Sequence, residues 1–263
     1  MNQEGARALK QALRANKCLL ATWVTSSDPM MLEAIAGAGF DACILDAEHG
    51  PVTASTSLMT QIISDRCQVP LLVRIPSLEL SIIGAFLDNG AAGVIIPRIH
   101  TADEAAEAIR FAHYPPTGVR GFGPRRASNY LRRVDAYLAA ARDTTIVIVQ
   151  VETADALANL DRILALPGLD GVLVGRNDLA TELGLSRDPA DPQLAAITSD
   201  ILARARARGL GAAVACGASA AAAAAAHQLG ANFVAAGIDV EYLARAVDAF
   251  LQDARASIES SNH

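Results

Sequence analysis

Ile44-Leu45-Asp46-Ala47-Glu48-His49-Gly50-Pro51 is a short apolar run that ends in three ionisable residues and then breaks on Gly-Pro. A buried strand that surfaces into a site reads this way. Working outward, Pro70-Leu71-Leu72-Val73-Arg74-Ile75-Pro76 is apolar at both parities, as a parallel strand covered on both faces must be, and Arg74 is its one exception. Similar runs recur at 19–24, 42–46, 93–97, 145–151, 171–174, 210–214 and 233–236. Between them lie stretches of helical spacing at 55–66, 78–88, 101–111, 131–142, 154–165, 193–208, 218–229 and 240–256. Asp28-Pro29 opens another as N-cap and first-turn proline, and Thr101 with Glu104 forms a capping box. A leading helix is expected over 3–16.

Eight strands alternating with helices, with no linker or change of composition, predict one (β/α)8 TIM barrel over 1–263 with an extra N-terminal helix. An open doubly wound sheet is the alternative. Neither a GxGxxG turn after a strand nor a P-loop supports it. Two stretches break the rhythm. Residues 113–130 are rich in Pro, Gly and Arg, and a loop of such length in a compact domain tends to be a lid or binding loop; 184–192, rich in Gly, Asp and Pro, is a second irregular patch. The poly-Ala tract at 220–226 reads as helix, since Ala is the best helix former.

A net charge of −6 with no polybasic segment argues against a nucleic-acid partner. No apolar run approaches the length of a membrane span, and the first residues carry no apolar signal segment. Cys18, Cys43, Cys67 and Cys216 lie far apart without zinc spacing, so reduced thiols and a cytoplasmic location are expected.

In such barrels the reacting groups sit at the C-terminal strand ends. Collecting polar residues there yields Trp23 and Thr25, the set Asp46, Glu48 and His49, then Arg74, Arg98, Gln150, Glu152, Asn177, Asp178 and Asp239. Two carboxylates on adjacent strands, Glu152 and Asp178, suit a hard divalent ion that keeps waters and takes substrate oxygens. They equally suit two helix caps. His49 near Asp46 fits a general base, or a histidine satisfied by a loop carbonyl. Arg74, too costly to bury unpaired, must meet a carboxylate of the protein or of a substrate. Together, a metal, an Arg and a His–Asp base make a site for an α-keto acid whose enolate they stabilise.

The stretches 36–41 (AGAGFD), 46–51 (DAEHGP), 73–76 (VRIP), 87–91 (LDNGA), 114–121 (YPPTGVRG), 150–153 (QVET) and 170–179 (DGVLVGRNDL) follow one another in a specific order. In this they resemble the HpcH/HpaI family of metal-dependent, class II pyruvate aldolases, from about Leu19 to Phe250. The resemblance implies reversible aldol cleavage of a 4-hydroxy-2-oxoacid to pyruvate, or a close 2-oxoacid such as hydroxypyruvate, and an aldehyde. It implies that Glu152 and Asp178 bind Mg²⁺ or Mn²⁺, with Co²⁺ as a further candidate, and that the N–H groups at Asn177 and Asp178 help hold the substrate carboxylate. Arg74 would meet the keto oxygen, Gln150 and Trp23 would line the substrate, and His49, oriented by Asp46, would handle the hydroxyl proton. Asp88 would reach a neighbouring subunit's site, and the last helix would swap between subunits of a homo-hexamer built as a trimer of dimers. Oxaloacetate decarboxylase, another enolate-forming lyase and a non-catalytic keto-acid-binding protein are the alternatives. The chain departs from the family pattern at Arg176, where Pro is common, at Arg98, and in a shorter lid over 124–129. These positions bear on the aldehyde. Arg98, Arg125 and Arg126 either favour an acidic or polyhydroxylated aldehyde or form a solvated rim.

Overall fold

In the computed structural model, which describes residues 2–261, each apolar run is a strand. They are β1 (Leu19–Val24), β2 (Ala42–Asp46), β3 (Leu71–Arg74), β4 (Gly93–Ile96), β5 (Ile146–Val151), β6 (Gly171–Val174), β7 (Gly211–Cys216) and β8 (Phe233–Ile238). All pair in parallel, in chain order, and β8 closes on β1, so the (β/α)8 barrel is as expected. Of the expected domain 1–263, positions 1, 262 and 263 lie outside the described residues.

The helices are α1 (Gln3–Arg14), α2 (Pro29–Ala36), α3 (Ser57–Arg66), α4 (Leu80–Asp88), α5 (Ala102–Ala112) and α6 (Val134–Thr144). Then come α7 (Ala154–Ala158), α8 (Leu160–Leu164), α9 (Arg176–Glu182), α10 (Pro192–Ala207), α11 (Ala220–Gln228) and α12 (Asp239–Ser260). The Asp28 cap and the Thr101–Glu104 capping box form as read from the sequence. Two helices differ from expectation. The one over 154–165 divides at Asn159, whose amide reaches the carbonyl oxygens of His100 and Asp155. The one expected from 131 begins only at Val134, because Asn129, Tyr130 and Leu131 all take positive φ.

Strand side chains alternate between faces, and here this makes two cores. Ala21, Ile44, Leu72, Ile95, Ile148, Leu173, Ala213 and Phe233 fill the barrel interior, which α1 plugs from below with Ala6, Leu9 and Leu13. The opposite parity, including Leu45, Val73, Val94, Val149, Val172, Val214 and Val234, packs against the surrounding helices. Beneath the barrel, Asp170 accepts from Arg14 at 2.9 Å and from the Val147 N–H at 3.0 Å, and pairs with Lys10 at 3.0 Å. The Lys10 ammonium also donates to the carbonyls of Thr145 and Arg142.

Only Asp239 of α12 is buried, and Val240, Leu243, Val247 and Phe250 project from it into solvent. Among the described residues no helix is long and apolar enough to cross a membrane.

Candidate active site

The parity that places Ile44 and Leu72 inside the barrel also aims the next inward positions, Asp46 and Arg74, at its C-terminal mouth. The two residues are register partners across β2 and β3. On β5, Ile148 is followed inward by Gln150 and Glu152. The polar rim is thus the top layer of the barrel core, continued in polar residues.

Arg74 meets a carboxylate of the protein. Its Nε and Nη2 grip Asp46 at 2.9 and 2.6 Å, Nε also lies 3.2 Å from Glu48, and the guanidinium stacks 4.6 Å from the Trp23 ring centre. This double clamp leaves Nη1 without a hydrogen-bond partner among the described residues. Asp46 Oδ1 further accepts the backbone N–H groups of Glu48 and His49. Burial alone would raise the Asp46 pKa, but Arg74 and these N–H groups outweigh it and hold the carboxyl below its usual value. Burial keeps Glu48 above the usual range despite Arg74. Asp46 therefore fixes His49 through its main chain and not through the ring. The carboxylate near the imidazole is Glu48, at 3.9 Å, and the ring is 67% exposed. Gly50 is required here, since a Cβ would collide with the Asp46 carbonyl.

Glu152 does not cap the following helix. Thr153 does so, accepting from Ala156 N, and Glu182 receives the Ala154 N–H. Glu152 instead turns inward, where it accepts from the Arg98 N–H at 2.6 Å and from the Gln150 amide. Burial, followed by the nearby negative charge of Asp178, pushes its pKa up, against the pull of the Arg98 N–H. Because Gln150 gives its NH₂ to Glu152, its Oε1 is fixed facing elsewhere, and that buried oxygen has no donor. A Cβ at Gly175 would stand 2.5 Å from Glu152 Oε2, so glycine lets the β6 terminus close over this carboxylate. Asp178 lies in the first turn of α9, exposed, with Asn177 beside it. Among the described residues no three His, Cys, Asp or Glu side chains cluster as metal ligands. The oxygen-rich pair of Glu152 and Asp178, mutually repelling and with no salt bridge among the described residues, still fits a hard cation completed by water and substrate oxygens.

A cavity of about 710 Å³ opens over this rim. Trp23, Thr25, Asp46, His49, Arg74, Gln150, Asn177 and Asp178 are among its lining, and Glu152 lies behind Gln150 and Gly175. Asp239 stays below the mouth, accepting the N–H groups of Thr25 and Ser26 and so tying β1 to α12. Asp88 is not in this cavity; it pairs with Arg120 at 2.5 Å and borders a separate surface depression. Of the rim arginines, Arg126 is structural, bonded to Asp65 and to the Asn89 carbonyl, and neither Arg98 nor Arg125 lines the cavity. The sequence reading missed Arg187 and Glu241 as lining residues and left Arg176 without a role.

Residues 19–246 match the HpcH/HpaI aldolase/citrate lyase family. The chain belongs to this family. It is 39% identical to a 4-hydroxy-2-oxovalerate aldolase of Rhodococcus jostii, over 94% of this chain and 95% of that one. It is 36% identical to a 4-hydroxy-2-oxo-heptane-1,7-dioate aldolase of Escherichia coli, over 92% of each. Among solved structures, an HpcH/HpaI aldolase/citrate lyase family protein of Burkholderia cenocepacia superposes with a TM-score of 0.89 at 33% identity, covering 95% of this chain and 99% of that chain. The HpcH/HpaI assignment spans all eight strands and every rim residue described above.

Proposed function

We infer that the chain is a carbon–carbon lyase, a class II pyruvate aldolase that cleaves 4-hydroxy-2-oxoacids reversibly to pyruvate, or a near 2-oxoacid, and an aldehyde. The observation that carries this reading is one guanidinium, one exposed imidazole and Asp178 lining a single cavity, with Glu152 directly behind its wall, on a chain of this family. Glu152 and Asp178 would hold a divalent ion, Mg²⁺, Mn²⁺ or Co²⁺, which would supply Lewis acidity for the developing enolate. Gln150, anchored by Glu152, lines the keto-acid end beside Trp23. The N–H groups of Asn177 and Asp178, which as first-turn donors have no intrahelical acceptor, hold the substrate carboxylate.

In cleavage, His49 takes the proton of the C4 hydroxyl. The C3–C4 bond breaks as the aldehyde carbonyl forms, and its electron pair passes to C3 and the keto oxygen. Arg74, held in place by Asp46 and Trp23, neutralises that oxygen. A proton then returns to C3 to give pyruvate. His49, fixed through its backbone but free at its ring, can follow the hydroxyl without losing its place.

A homo-hexamer built as a trimer of dimers, with α12 exchanged between subunits, is part of the same proposal. The uncovered apolar face of α12 and the position of Asp88 outside its own cavity both support it. The free cysteines are in keeping with a cytoplasmic location. The test is pyruvate release from a panel of 4-hydroxy-2-oxoacids, with chelator-stripped protein and then with each ion restored. Release only with metal is expected. Metal-independent release, or none on any substrate, overturns the reading.

A further inference from the structure

Asp239 is a rim carboxylate that the chemistry above leaves unused. It is 1% exposed and forms no salt bridge among the described residues. A buried carboxylate is costly unless donors replace its hydration, and here four do so. Its Oδ1 accepts the Thr25 hydroxyl at 2.7 Å and the Val240 N–H at 2.9 Å. Its Oδ2 accepts the N–H groups of Thr25 and Ser26 at 3.0 and 2.8 Å. Thr25 and Ser26 are the first residues beyond β1.

The backbone is built to bring the carboxylate there. Phe233 and Ala235 of β8 face the barrel interior, so unbroken alternation would turn Gly237 and Asp239 inward as well. Ala21 of β1 pairs with Ala235, and Trp23 with Ile238, so three steps of β8 match two of β1. This bulge puts Ile238 at the cavity wall and turns Asp239 the other way, under the loop that follows β1. Gly237 has φ +62°, and a Cβ there would also strike Tyr242 and Ala218. The Tyr242 hydroxyl donates to the Ala236 carbonyl at 2.8 Å and secures the bulge.

The loop held in this way meets the chemistry at two points. Thr25 lines the cavity. A Cβ at Gly50 would meet the Asp46 carbonyl and, at 3.2 Å, the Thr25 carbonyl, so the turn after His49 rests against both. Asp46 is fixed by Arg74, and Thr25 by Asp239. Resting on the aldolase reading, we propose that Asp239 is a positioning residue. It holds the β1 loop as the second support of the His49 turn, and so sets where the imidazole meets the C4 hydroxyl. It lies outside the cavity lining and acts through its hydrogen bonds, not through its charge.

The experiment compares wild type, Asp239→Ala and Asp239→Asn as the Mn²⁺-loaded full chain. Asparagine can turn its oxygen to the N–H groups of Thr25 and Ser26 and its NH₂ to the Thr25 hydroxyl, and so keeps the loop in place. Two reactions are measured. Cleavage of a 4-hydroxy-2-oxoacid needs His49 at the C4 hydroxyl. Decarboxylation of oxaloacetate breaks the bond to CO₂, sends its electron pair to C3 and the keto oxygen, and has no hydroxyl proton to remove. A third readout needs neither metal nor turnover. Trp23 is the one tryptophan of the chain, two residues before Thr25, and acrylamide quenching of its fluorescence reports how the end of β1 is seated.

Asp239→Ala should lower kcat for cleavage about 10- to 100-fold, as a small misplacement of a reacting group does, with KM and decarboxylation largely retained. Quenching should rise, and Asp239→Asn should restore both. Equal loss in the two reactions, unchanged cleavage, or an asparagine variant as impaired as the alanine one overturns the proposal. If Asp239→Ala does not fold, Asp239→Ser is judged by the same outcomes. A wild type that decarboxylates oxaloacetate but cleaves no 4-hydroxy-2-oxoacid overturns the aldolase reading. Quenching then decides the support of the loop, and no rise in Asp239→Ala overturns that too.

Discussion

The two ends of the barrel both bury charge, and they handle it in opposite ways. At the bottom, the account closes. The Lys10 ammonium finds the carbonyls of Thr145 and Arg142 and the carboxylate of Asp170, and Asp170 takes two cations and a backbone N–H. Asn232 nearby gives its amide to Leu13 and Asn16 and receives the Ala212 N–H. At the top, the account stays open. Glu152 is pushed toward protonation by burial and by Asp178, Gln150 Oε1 has no donor, and Arg74 keeps a free edge. Buried charge by itself therefore says little about function. Charge whose partners are incomplete, beside a cavity, is what distinguishes a site from a brace.

The largest expected effect falls at the open end. Glu152→Gln and Asp178→Asn should each lower metal-dependent pyruvate release on the order of 10³-fold or more, by removing a carboxylate proposed to hold the ion. Metal-free Glu152→Gln should be at least as stable as metal-free wild type, since the amide still accepts from Arg98 without burying a charge near Asp178. Urea denaturation alongside the assay checks both halves. A variant that unfolds more easily while keeping its metal would make Glu152 a brace like Asp170, and the contrast between the two ends would disappear.

The open end was legible in the sequence because it is local. Apolar runs at both parities mark parallel strands, and period-two alternation carries the inward face from Ile44 to Asp46, from Leu72 to Arg74 and from Ile148 to Gln150. Knowing that barrels react at strand ends then yields the rim directly. The closed end was not legible, because Lys10, Asp170, Thr145 and Asn232 meet only once the barrel closes, across separations that no window spans. The same limit hid Arg187 and Glu241 from the cavity list. The sequence paired Asp46 with the His49 ring, but the bonds run from backbone N–H groups to Asp46, and no spacing separates that from a ring contact. The break at Asn159 depends on the His100 carbonyl of another loop, and helical periodicity carries no sign of it.

At the closed end, removing a partner should cost stability and not chemistry. Lys10→Met leaves Asp170 fully buried with only Arg14, whose side chain is half exposed, to balance it. Breaking a buried pair costs about 3–5 kcal/mol, and the remaining Arg14 contact places this case near about 3 kcal/mol. The midpoint of urea unfolding should fall accordingly, while kcat on the folded fraction stays at the wild-type value. Loss of activity without loss of stability would mean that the plug communicates with the rim. The two ends could then no longer be treated separately.

The smallest effect is a pH dependence of the same plug. His113, which ends α5, is buried, and that burial, followed by the positive charge of Lys10, lowers its pKa to about 4, with Asp170 pulling the other way. In the unfolded chain an imidazole titrates near about 6.5. Between those values the unfolded state holds the proton and the folded state does not, so stability is fully present above about pH 6.5 and is lost as pH falls toward 4. Each pH unit in that window is worth at most about 1.4 kcal/mol, so acidification from pH 7 to 4.5 loses on the order of 2–3 kcal/mol. His113→Gln removes the titration and leaves the backbone bond from the His113 carbonyl to the Arg120 N–H in place. Thermal unfolding at pH 7 and pH 4.5 should show the variant losing about 3–6 °C less than wild type on acidification. If both lose the same, His113 is not the acid-sensitive group, and the plug is indifferent to pH over this range.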